Sequence, residues 1–210
     1  MFATPGWDDE LLSHITDHQV SIESSVAISG NTVYFANSGG LVQGWDISGL
    51  KDGVEPTRNF RFWTGDDTDA TIVIDDEGYL YVGSEYERHN QRSTEIGQIM
   101  KLDPRNPDDP VVWSVDDQTS GGKSGIWATS AIWKDMVYAA TNGGRVLGID
   151  RATGDVVWEK DLGSQTWGSP VVVDDVLIEG DCEGNLNAYD VSDTRVDPPL
   201  LWTVKLSGCI

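Results

Sequence analysis

The stretch GIDRATGDVVW, residues 148–158, combines a small residue, an aspartate, a Thr-Gly pair, a second acidic residue and a closing tryptophan. A shift of 104 positions aligns VYFANSGGLVQGWD, residues 33–46, with VYAATNGGRVLGID, residues 137–150, without a gap. A shift of 40 positions aligns residues 127–150 with residues 167–190. The stretch therefore closes one copy of an internal repeat, and such a repeat decides the architecture before any local pattern does.

The repeat has the length and the local pattern of a β-propeller blade. A fourth copy begins at residue 70 and resumes at residue 97 after an insertion, and the closing tryptophans of the four copies are 50, 45 and 44 residues apart. Periods of about 40–50 residues are typical of propellers. Within a copy, short β-branched and aromatic runs alternate with turns such as NGG and ATG, which indicates four strands per unit. We predict an all-β β-propeller of four-stranded antiparallel blades, with about four blades in this chain out of seven or eight.

Antiparallel alternation assigns the loops to the two faces of the disc. The strands of a blade are numbered one to four from the axis outward, and strand four of one blade leads into strand one of the next. The inter-blade connections and the two-three loops therefore lie on one face, which we call the connection face. The one-two and three-four turns lie on the opposite face.

GIDRATGDVVW resembles the tryptophan-docking motif of the pyrroloquinoline-quinone-like (PQQ-like) repeat propellers, which include quinoprotein dehydrogenases and outer-membrane assembly scaffolds. The resemblance extends over residues 22–206 and implies that the tryptophan packs against the neighbouring blade while the Asp and Thr-Gly positions shape the turn. A tryptophan buries about 200 Å² and can fill the wedge between twisted sheets. The other copies keep only the Asp and the Trp, with longer turns. The predicted docking residues are Gly148, Asp150, Thr153, Gly154 and Trp158, with Asp46, Trp63, Asp103, Trp113, Asp190 and Trp202 in the other copies.

The alignment also divides the chain into units. Because propellers close with four to eight blades and the final KLSGCI stops where another strand one is expected, we predict about half of a larger propeller. A complete four-bladed domain is the alternative. The predicted units are an irregular leader or remnant of a preceding blade (1–21), four blades (22–67, 68–120 with a loop insertion at 85–97, 121–163 and 164–206) and the start of a further blade (207–210).

Composition limits the classes of partner. Fourteen basic residues against 35 acidic residues give a formal net charge of −21, which repels nucleic acid and anionic membranes. No run approaches the roughly 20 apolar residues that cross a bilayer, and the first residues lack the regions of a signal peptide. We expect a protein partner and the remaining blades of the propeller, with no nucleic acid and no membrane insertion.

Clusters of acidic residues raise the question of calcium, which needs several carboxylate oxygens. GDDTD, residues 65–69, belongs to an inter-blade connection and DDE, residues 75–77, to a one-two turn, so the two clusters lie on opposite faces. No EF-hand spacing is present. We therefore predict no metal site and a solvated acidic surface at these clusters, at residues 116–117 and at Asp181 with Glu183.

Two features of the connection face are candidate contacts. The insertion replaces a tight two-three turn with a polar loop that carries Arg88, His89 and Arg92, and we predict that it binds a partner, with an ordinary surface loop as the alternative. Trp127 and Trp167 begin strand one near the axis, where propellers bind ligands. They are candidate axial aromatics, with core packing as the alternative.

The two cysteines belong to neighbouring units on the connection face. Cys182 lies in a two-three loop and Cys209 at the entry to the following unit, so a disulfide can form, with two free thiols as the alternative. A disulfide would imply an oxidising compartment. We expect a periplasmic or extracellular location, with the cytoplasm as the alternative.

Catalysis has little support in the sequence. The histidines are His14, His18 and His89, and no nucleophile elbow, HExxH or Cys-x-x-Cys motif occurs. The quinoprotein dehydrogenases that the repeat resembles use adjacent cysteines, which this chain lacks, so we expect no PQQ or calcium here and assign both only to a full-length parent. We predict a non-catalytic protein-binding or scaffolding module of an exported bacterial protein. The alternatives are a fragment of a quinoprotein dehydrogenase-like enzyme and a sensor propeller attached to a kinase or hydrolase.

Overall fold

The fold consists of four separate antiparallel sheets in which consecutive strands are neighbours. The computed structural model describes residues 8–16, 20–118 and 124–210. The sheets are blades 1 to 4 in chain order. Blade 1 contains β1 (Ala27–Ser29), β2 (Thr32–Phe35), β3 (Leu41–Asp46) and β4 (Thr57–Trp63), and blade 2 contains β5 (Val73–Ile74), β6 (Leu80–Gly83), β7 (Ile99–Leu102) and β8 (Val111–Val115). Blade 3 contains β9 (Ala131–Trp133), β10 (Met136–Ala140), β11 (Arg145–Asp150) and β12 (Val156–Asp161), and blade 4 contains β13 (Val171–Val173), β14 (Val176–Gly180), β15 (Asn185–Asp190) and β16 (Leu200–Lys205).

These four blades confirm the predicted all-β propeller architecture. Short helices interrupt it at α1 (Asp9–His14) and α2 (Gln91–Ile96), and a single 3-10 turn spans Leu50–Asp52. Neither helix in the described ranges has the length and apolar run that a membrane crossing requires. Residues 207–210 form no strand.

The hydrophobic core consists of one apolar layer between each pair of successive blades. Val42 and Phe60 of blade 1 pack with Leu80 and Met100 of blade 2. Blade 2 meets blade 3 through a second layer that includes Tyr81, Trp113, Val137 and Ile149. The third layer joins Met136, Tyr138 and Trp158 of blade 3 to Leu177 and Tyr189 of blade 4.

The docking tryptophans of blades 2 and 3 are buried between blades. The ring of Trp158 lies over Gly148, where a Cβ atom would approach the ring to 2.2 Å, so only glycine fits beneath it. Its Nε1 donates to the carbonyl oxygen of Thr194 in the three-four turn of blade 4, at 3.2 Å. Trp113 does the same one blade earlier, donating to the Arg151 carbonyl oxygen at 3.1 Å and packing against Gly154.

The strand register corrects the prediction for the first copy. In blades 3 and 4 the docking tryptophan of strand four pairs with the residue of strand three that directly precedes a register shift. These pairs are Gly148–Trp158 and Ala188–Trp202. The same position in blade 1 pairs Gly44 with Phe60, which is buried in the layer against blade 2. Trp63 instead pairs with Leu41 and donates from Nε1 to the Gly39 carbonyl oxygen of its own blade. Phe60, not Trp63, is therefore the docking residue of blade 1.

The four predicted turn aspartates share one local role. Each Oδ1 accepts a hydrogen bond from the backbone N–H two residues later, which fixes the start of the three-four turn. In the best-preserved copy, Asp150 also accepts from the Thr153 N–H, and the Thr153 hydroxyl donates to Asp155. The residues in this role are Asp46, Asp103, Asp150 and Asp190.

A chain of hydroxyl groups links the inner ends of the blades. The backbone N–H of Ser25 donates to the Thr71 hydroxyl, the N–H of Thr71 to the Thr129 hydroxyl, and the N–H of Thr129 to the Ser169 hydroxyl, at 3.3, 3.0 and 3.0 Å. All four hydroxyl residues lie two positions before strand one of their blade, a recurrence that was not recognised from the sequence. These three hydrogen bonds connect each blade to the next beside the axis.

The leader, predicted to be irregular, contains α1. Leu11 of the helix and Ile15, which directly follows it, are buried against Leu41 of blade 1. Asp8 caps the helix through the Leu11 N–H and forms ion pairs with Arg61 and Arg58 of β4. Through these contacts, part of the leader covers the face of blade 1 that points away from blade 2. His18 lies outside the described residues.

Candidate functional site

The two arginines of the blade 2 insertion contact blade 1 and the connection that follows it. The Arg88 guanidinium lies 3.7 Å from Asp66 and 3.6 Å from Asp67 and donates to the Ser38 carbonyl oxygen, so it ties the insertion to blade 1 and to the connection that follows it. Arg92 donates to the Trp63 carbonyl oxygen. His89 is exposed and packs edge-on against Tyr86. Of the three basic residues predicted to contact a partner, only His89 is free to do so, and its role stays a prediction.

We expect Arg88→Ala to lower the free energy of unfolding by about 2 kcal/mol, because the buried carboxylate of Asp66 loses its nearest positive charge. Thermal and urea unfolding measure the loss. Arg105→Ala is the matched control, since that arginine forms an exposed ion pair with Asp103, and we expect a clearly smaller loss than for Arg88→Ala. Equal losses in the two variants would contradict the structural role of Arg88.

The insertion also brings together three carboxyl groups on the connection face. Glu85, at the start of the insertion, lies with Asp67 and Asp69 of the preceding connection, and one oxygen of each is within 4.8 Å of the others. The backbone holds them there, because the Glu85 N–H donates to the Asp67 carbonyl oxygen and Glu85 forms a bridge with Gly125. We call these three residues the acidic triad. Sequence reasoning missed Glu85 because it lies outside the GDDTD cluster.

Burial keeps the acidic triad partly protonated near neutral pH. Burial, reinforced by Asp69, raises the pKa of Asp67 to about 7, although Arg88 opposes this. Burial, with Asp67 and Asp69 next to it, raises the pKa of Glu85 to about 9. Burial and then Glu23 raise the pKa of Asp69. The three carboxyl groups can therefore share protons. Their oxygens lie close enough together to hold a cation. The expected absence of a metal site stays a prediction.

Several acidic residues predicted to be solvated are buried instead. Asp66, Asp117 and Asp181 are each at most 1% exposed. Asp117 forms an ion pair with Arg145 of blade 3 and accepts from the Gly125 N–H, and Asp181 accepts from the N–H groups of its own two-three turn. These carboxylates are structural, because they satisfy the backbone where connections and two-three turns meet.

The axial aromatics form a stacked pair at the connection face. The rings of Trp127 and Trp167 have centroids 5.8 Å apart and planes 17° from parallel. Trp167 donates from Nε1 to the Asn142 side chain at 3.1 Å, while 52% of the residue stays exposed. Trp127 follows Gly125 and Ile126, whose backbones bond to Glu85 and Ser84, so the pair lies beside the acidic triad. Because half of Trp167 is exposed, this residue is not a core-packing residue, which was the alternative to its being an axial aromatic.

Cys182 and Cys209 are joined by a disulfide at the same face. It connects the two-three turn of blade 4 to the segment after β16. The Ile210 N–H donates to the Asp181 carbonyl oxygen at 3.3 Å, and this bond and the disulfide hold residues 207–210 against that turn.

The stacked tryptophan pair does not provide a slot for a PQQ ring, and the expected absence of this cofactor stays a prediction. A planar ring between Trp127 and Trp167 would need a separation of about 7 Å, twice the usual carbon contact distance, which their 5.8 Å spacing does not allow. Each cysteine is bonded to a partner 27 residues away rather than to a neighbour in sequence. We derive no quinone chemistry for this chain.

Comparison with known proteins relates the chain to one family. A family model described as outer membrane protein assembly factor BamB matches residues 95–208. No curated protein matches the chain. Among solved structures, BamB from Moraxella catarrhalis is 20% identical with a TM-score of 0.63, over 91% of this chain and 51% of that chain.

Two designed proteins share the fold. The computationally designed Ika8 protein is 17% identical with a TM-score of 0.60, over 92% of this chain and 51% of that chain. The designed Ika4 protein is 16% identical with a TM-score of 0.59, over 84% of this chain and 94% of that chain. This chain thus spans about half the length of BamB and of Ika8. Because the family model covers more than half of the residues, the chain belongs to the BamB family of PQQ-like repeat β-propellers.

Proposed function

We propose that this chain is a protein-binding or scaffolding module of an exported bacterial protein, and that it binds its partner on the connection face. The observation that carries the proposal is Trp167, which is half exposed while Trp127 and Asn142 fix its ring. Interfaces draw much of their affinity from a few tryptophan, tyrosine and arginine anchors, and a ring that is already held loses little entropy on binding.

The charge next to Trp167 indicates the chemistry of the partner. The acidic triad and Glu23 lie on the same face, in a chain whose net charge is −21. A protein segment that carries a lysine or arginine beside an apolar side chain would complement both features, because opposite potentials steer association and fix register. We propose a segment of this kind as the partner, with His89 as an additional contact at the edge of the face.

The disulfide between Cys182 and Cys209 supports an extracytoplasmic location, because such bonds persist in oxidising compartments. The matching family is named for outer membrane protein assembly. The first partners to test are therefore components of the outer membrane protein assembly machinery.

The test is site-specific photo-crosslinking in the native host. We expect a crosslinker at position 167 to capture a discrete partner, and a crosslinker at Glu77, in the one-two turn of blade 2 on the opposite face, to capture none. Trp167→Ala should lower the affinity of the captured partner at least about tenfold, since a central aromatic anchor contributes more than 1 kcal/mol, and circular dichroism checks that the variant stays folded. Capture from position 77 and not from position 167 would overturn the assignment of the connection face.

A further inference from the structure

Trp127 carries an indole N–H without a hydrogen-bond partner. Its Nε1 atom is buried, and no acceptor contacts it among the described residues. The ring of Trp167 stacks on that of Trp127, but the Nε1 of Trp167 donates to the Asn142 side chain at 3.1 Å. Buried polar groups are paired in the large majority of cases, so the unpaired N–H of Trp127 needs a physical reason.

The repeat identifies the residue that occupies the position of the missing acceptor. Asn142 is the second residue after β10, and its backbone N–H donates to the Gly125 carbonyl oxygen at 2.9 Å. Glu85 is the second residue after β6, and its backbone N–H donates to the Asp67 carbonyl oxygen at 2.8 Å. Both bonds join a two-three loop to the connection that enters the same blade. Glu85 of blade 2 therefore corresponds to Asn142 of blade 3, which holds Trp167.

Trp127 has the same relation to Glu85 that Trp167 has to Asn142. Each tryptophan lies four residues before strand one of its blade. Glu85 also forms a bridge with Gly125, two residues before Trp127, so the two residues are neighbours. The Glu85 side chain, however, joins the acidic triad, whose oxygens lie within 4.8 Å of one another. Glu85 therefore has two alternative contacts, the triad and the Trp127 N–H.

A shared proton explains why Glu85 joins the triad. Three carboxylates so close together repel one another unless they hold a proton or a cation. The charged groups that face the triad from neighbouring elements are Glu23, Glu87 and Arg88, and Arg88 is the one cation among these three. Burial and the adjacent carboxyl groups raise the pKa of Glu85 to about 9 and that of Asp67 to about 7. The triad therefore keeps protons at neutral pH.

We propose that Glu85 is a proton-controlled acceptor for Trp127. In the protonated state its carboxyl group shares a proton with Asp67 and Asp69. When the proton is released to solvent, the Glu85 carboxylate leaves the two like charges and accepts a hydrogen bond from the Trp127 indole N–H. Glu85 makes this move because it has the longest side chain of the triad and lies next to an unpaired donor. The second state reproduces the contact between Asn142 and Trp167.

This inference deepens the proposed function and rests on it for the partner, because the stacked tryptophan pair is the proposed contact surface. In the ionised state the triad gains negative charge and the Trp127 ring is held by a hydrogen bond. Both changes favour a partner segment with a lysine or arginine, since opposite charges steer association and a held ring loses less entropy on binding. The proton state of the triad then regulates binding at the connection face.

The experiment follows the indole N–H signals of the oxidised 210-residue chain by NMR, with nitrogen-15 in its tryptophans, between about pH 6 and about pH 9. Trp127→Phe assigns the signal. We expect the Trp127 N–H proton to move downfield as the pH rises, because a hydrogen bond forms, while the already bonded Trp167 N–H stays in place. In Glu85→Gln, which cannot ionise, the Trp127 signal should not change with pH. Glu87→Gln is the matched control in the same loop and is exposed, so it should keep the change.

Two results would overturn the proposal. One is a Trp127 signal that stays constant while carbon-13 shifts show that the Glu85 carboxyl group ionises. The other is a pH-dependent Trp127 signal that persists in Glu85→Gln. Circular dichroism checks that this variant is folded, and the carbon-13 comparison in the wild type needs no variant of Glu85. The signals are recorded without a partner, so failure of this experiment leaves the crosslinking result at position 167 unaffected, and a failed crosslink leaves the signals unaffected.

Discussion

Replacing Trp158 with alanine is expected to lower the free energy of unfolding by about 3–5 kcal/mol. The ring fills the layer between blades 3 and 4, where it contacts Tyr138 at a centroid distance of 5.7 Å and packs in the cluster of Leu177 and Tyr189. Its removal leaves a cavity and also leaves the Thr194 carbonyl oxygen without the indole donor. The sheet cannot close this cavity, because Gly148 beneath the ring offers no side chain. Urea unfolding of the oxidised protein measures the loss.

Trp202→Ala is the matched control for this prediction. It removes the same kind of side chain at the same register position, but Trp202 is 42% exposed whereas Trp158 is 6% exposed. We expect a loss of about 1 kcal/mol or less. A loss below about 1 kcal/mol for Trp158→Ala, or equal losses for the two variants, would contradict the docking role of the buried ring.

The stability of the protein is expected to decrease as the pH rises from about 5 to about 8, and Glu179 is one of the groups that cause this decrease. This residue of β14 is 1% exposed, and its Oε1 accepts from the Thr166 hydroxyl at 2.7 Å while its Oε2 has no partner among the described residues. Burial raises the pKa of Glu179 from 4.5 to about 8, although the Thr166 bond opposes this. The folded protein therefore binds this proton more tightly than the unfolded chain does.

The direction of this effect and its pH range follow from the pKa of Glu179 in the unfolded chain, 4.5, and in the folded protein, about 8. Below pH 4.5 both states are protonated and the carboxyl has no pH-dependent effect. Between 4.5 and about 8 the unfolded chain has released the proton and the folded protein has not, so each rise in pH favours unfolding. The full change amounts to at most about 5 kcal/mol, and above pH 8 this contribution stays constant. Asp67 and Glu85, whose pKa values are raised to about 7 and about 9, act in the same direction.

Glu179→Gln shows how much of the pH dependence of stability comes from Glu179 and how much from the acidic triad. The neutral amide has nearly the shape of the protonated carboxyl, so the variant should lose the share of the pH dependence that comes from Glu179, keep the share that comes from Asp67 and Glu85, and become more stable than the wild type near pH 8. Unfolding in urea at a series of pH values gives both curves. Glu183→Gln, an exposed residue in the next turn, should follow the wild type. Parallel curves for the wild type and Glu179→Gln would contradict a buried, protonated Glu179.

The features that repeat could be predicted from the sequence by itself. The four blades, the inter-blade position of Trp113 and Trp158, and the turn role of Asp150 follow from strand periodicity and from turn chemistry that acts over a few residues. The same signals located the insertion of blade 2 and put both cysteines on one face. They failed at Trp63, because the first copy has a long three-four turn, and only strand pairing shows that Phe60 faces Gly44.

Only the tertiary structure decided which side chains meet. Glu85 joins Asp67 and Asp69 because a bridge to Gly125 in the next connection holds it there, and Arg88 turns inward because Asp66 is buried beneath it. These contacts join residues of different repeat units, and none of them recurs at the repeat period. Periodicity therefore determines the blades of this protein, whereas burial and charge between blades determine its acidic triad and its exposed Trp167.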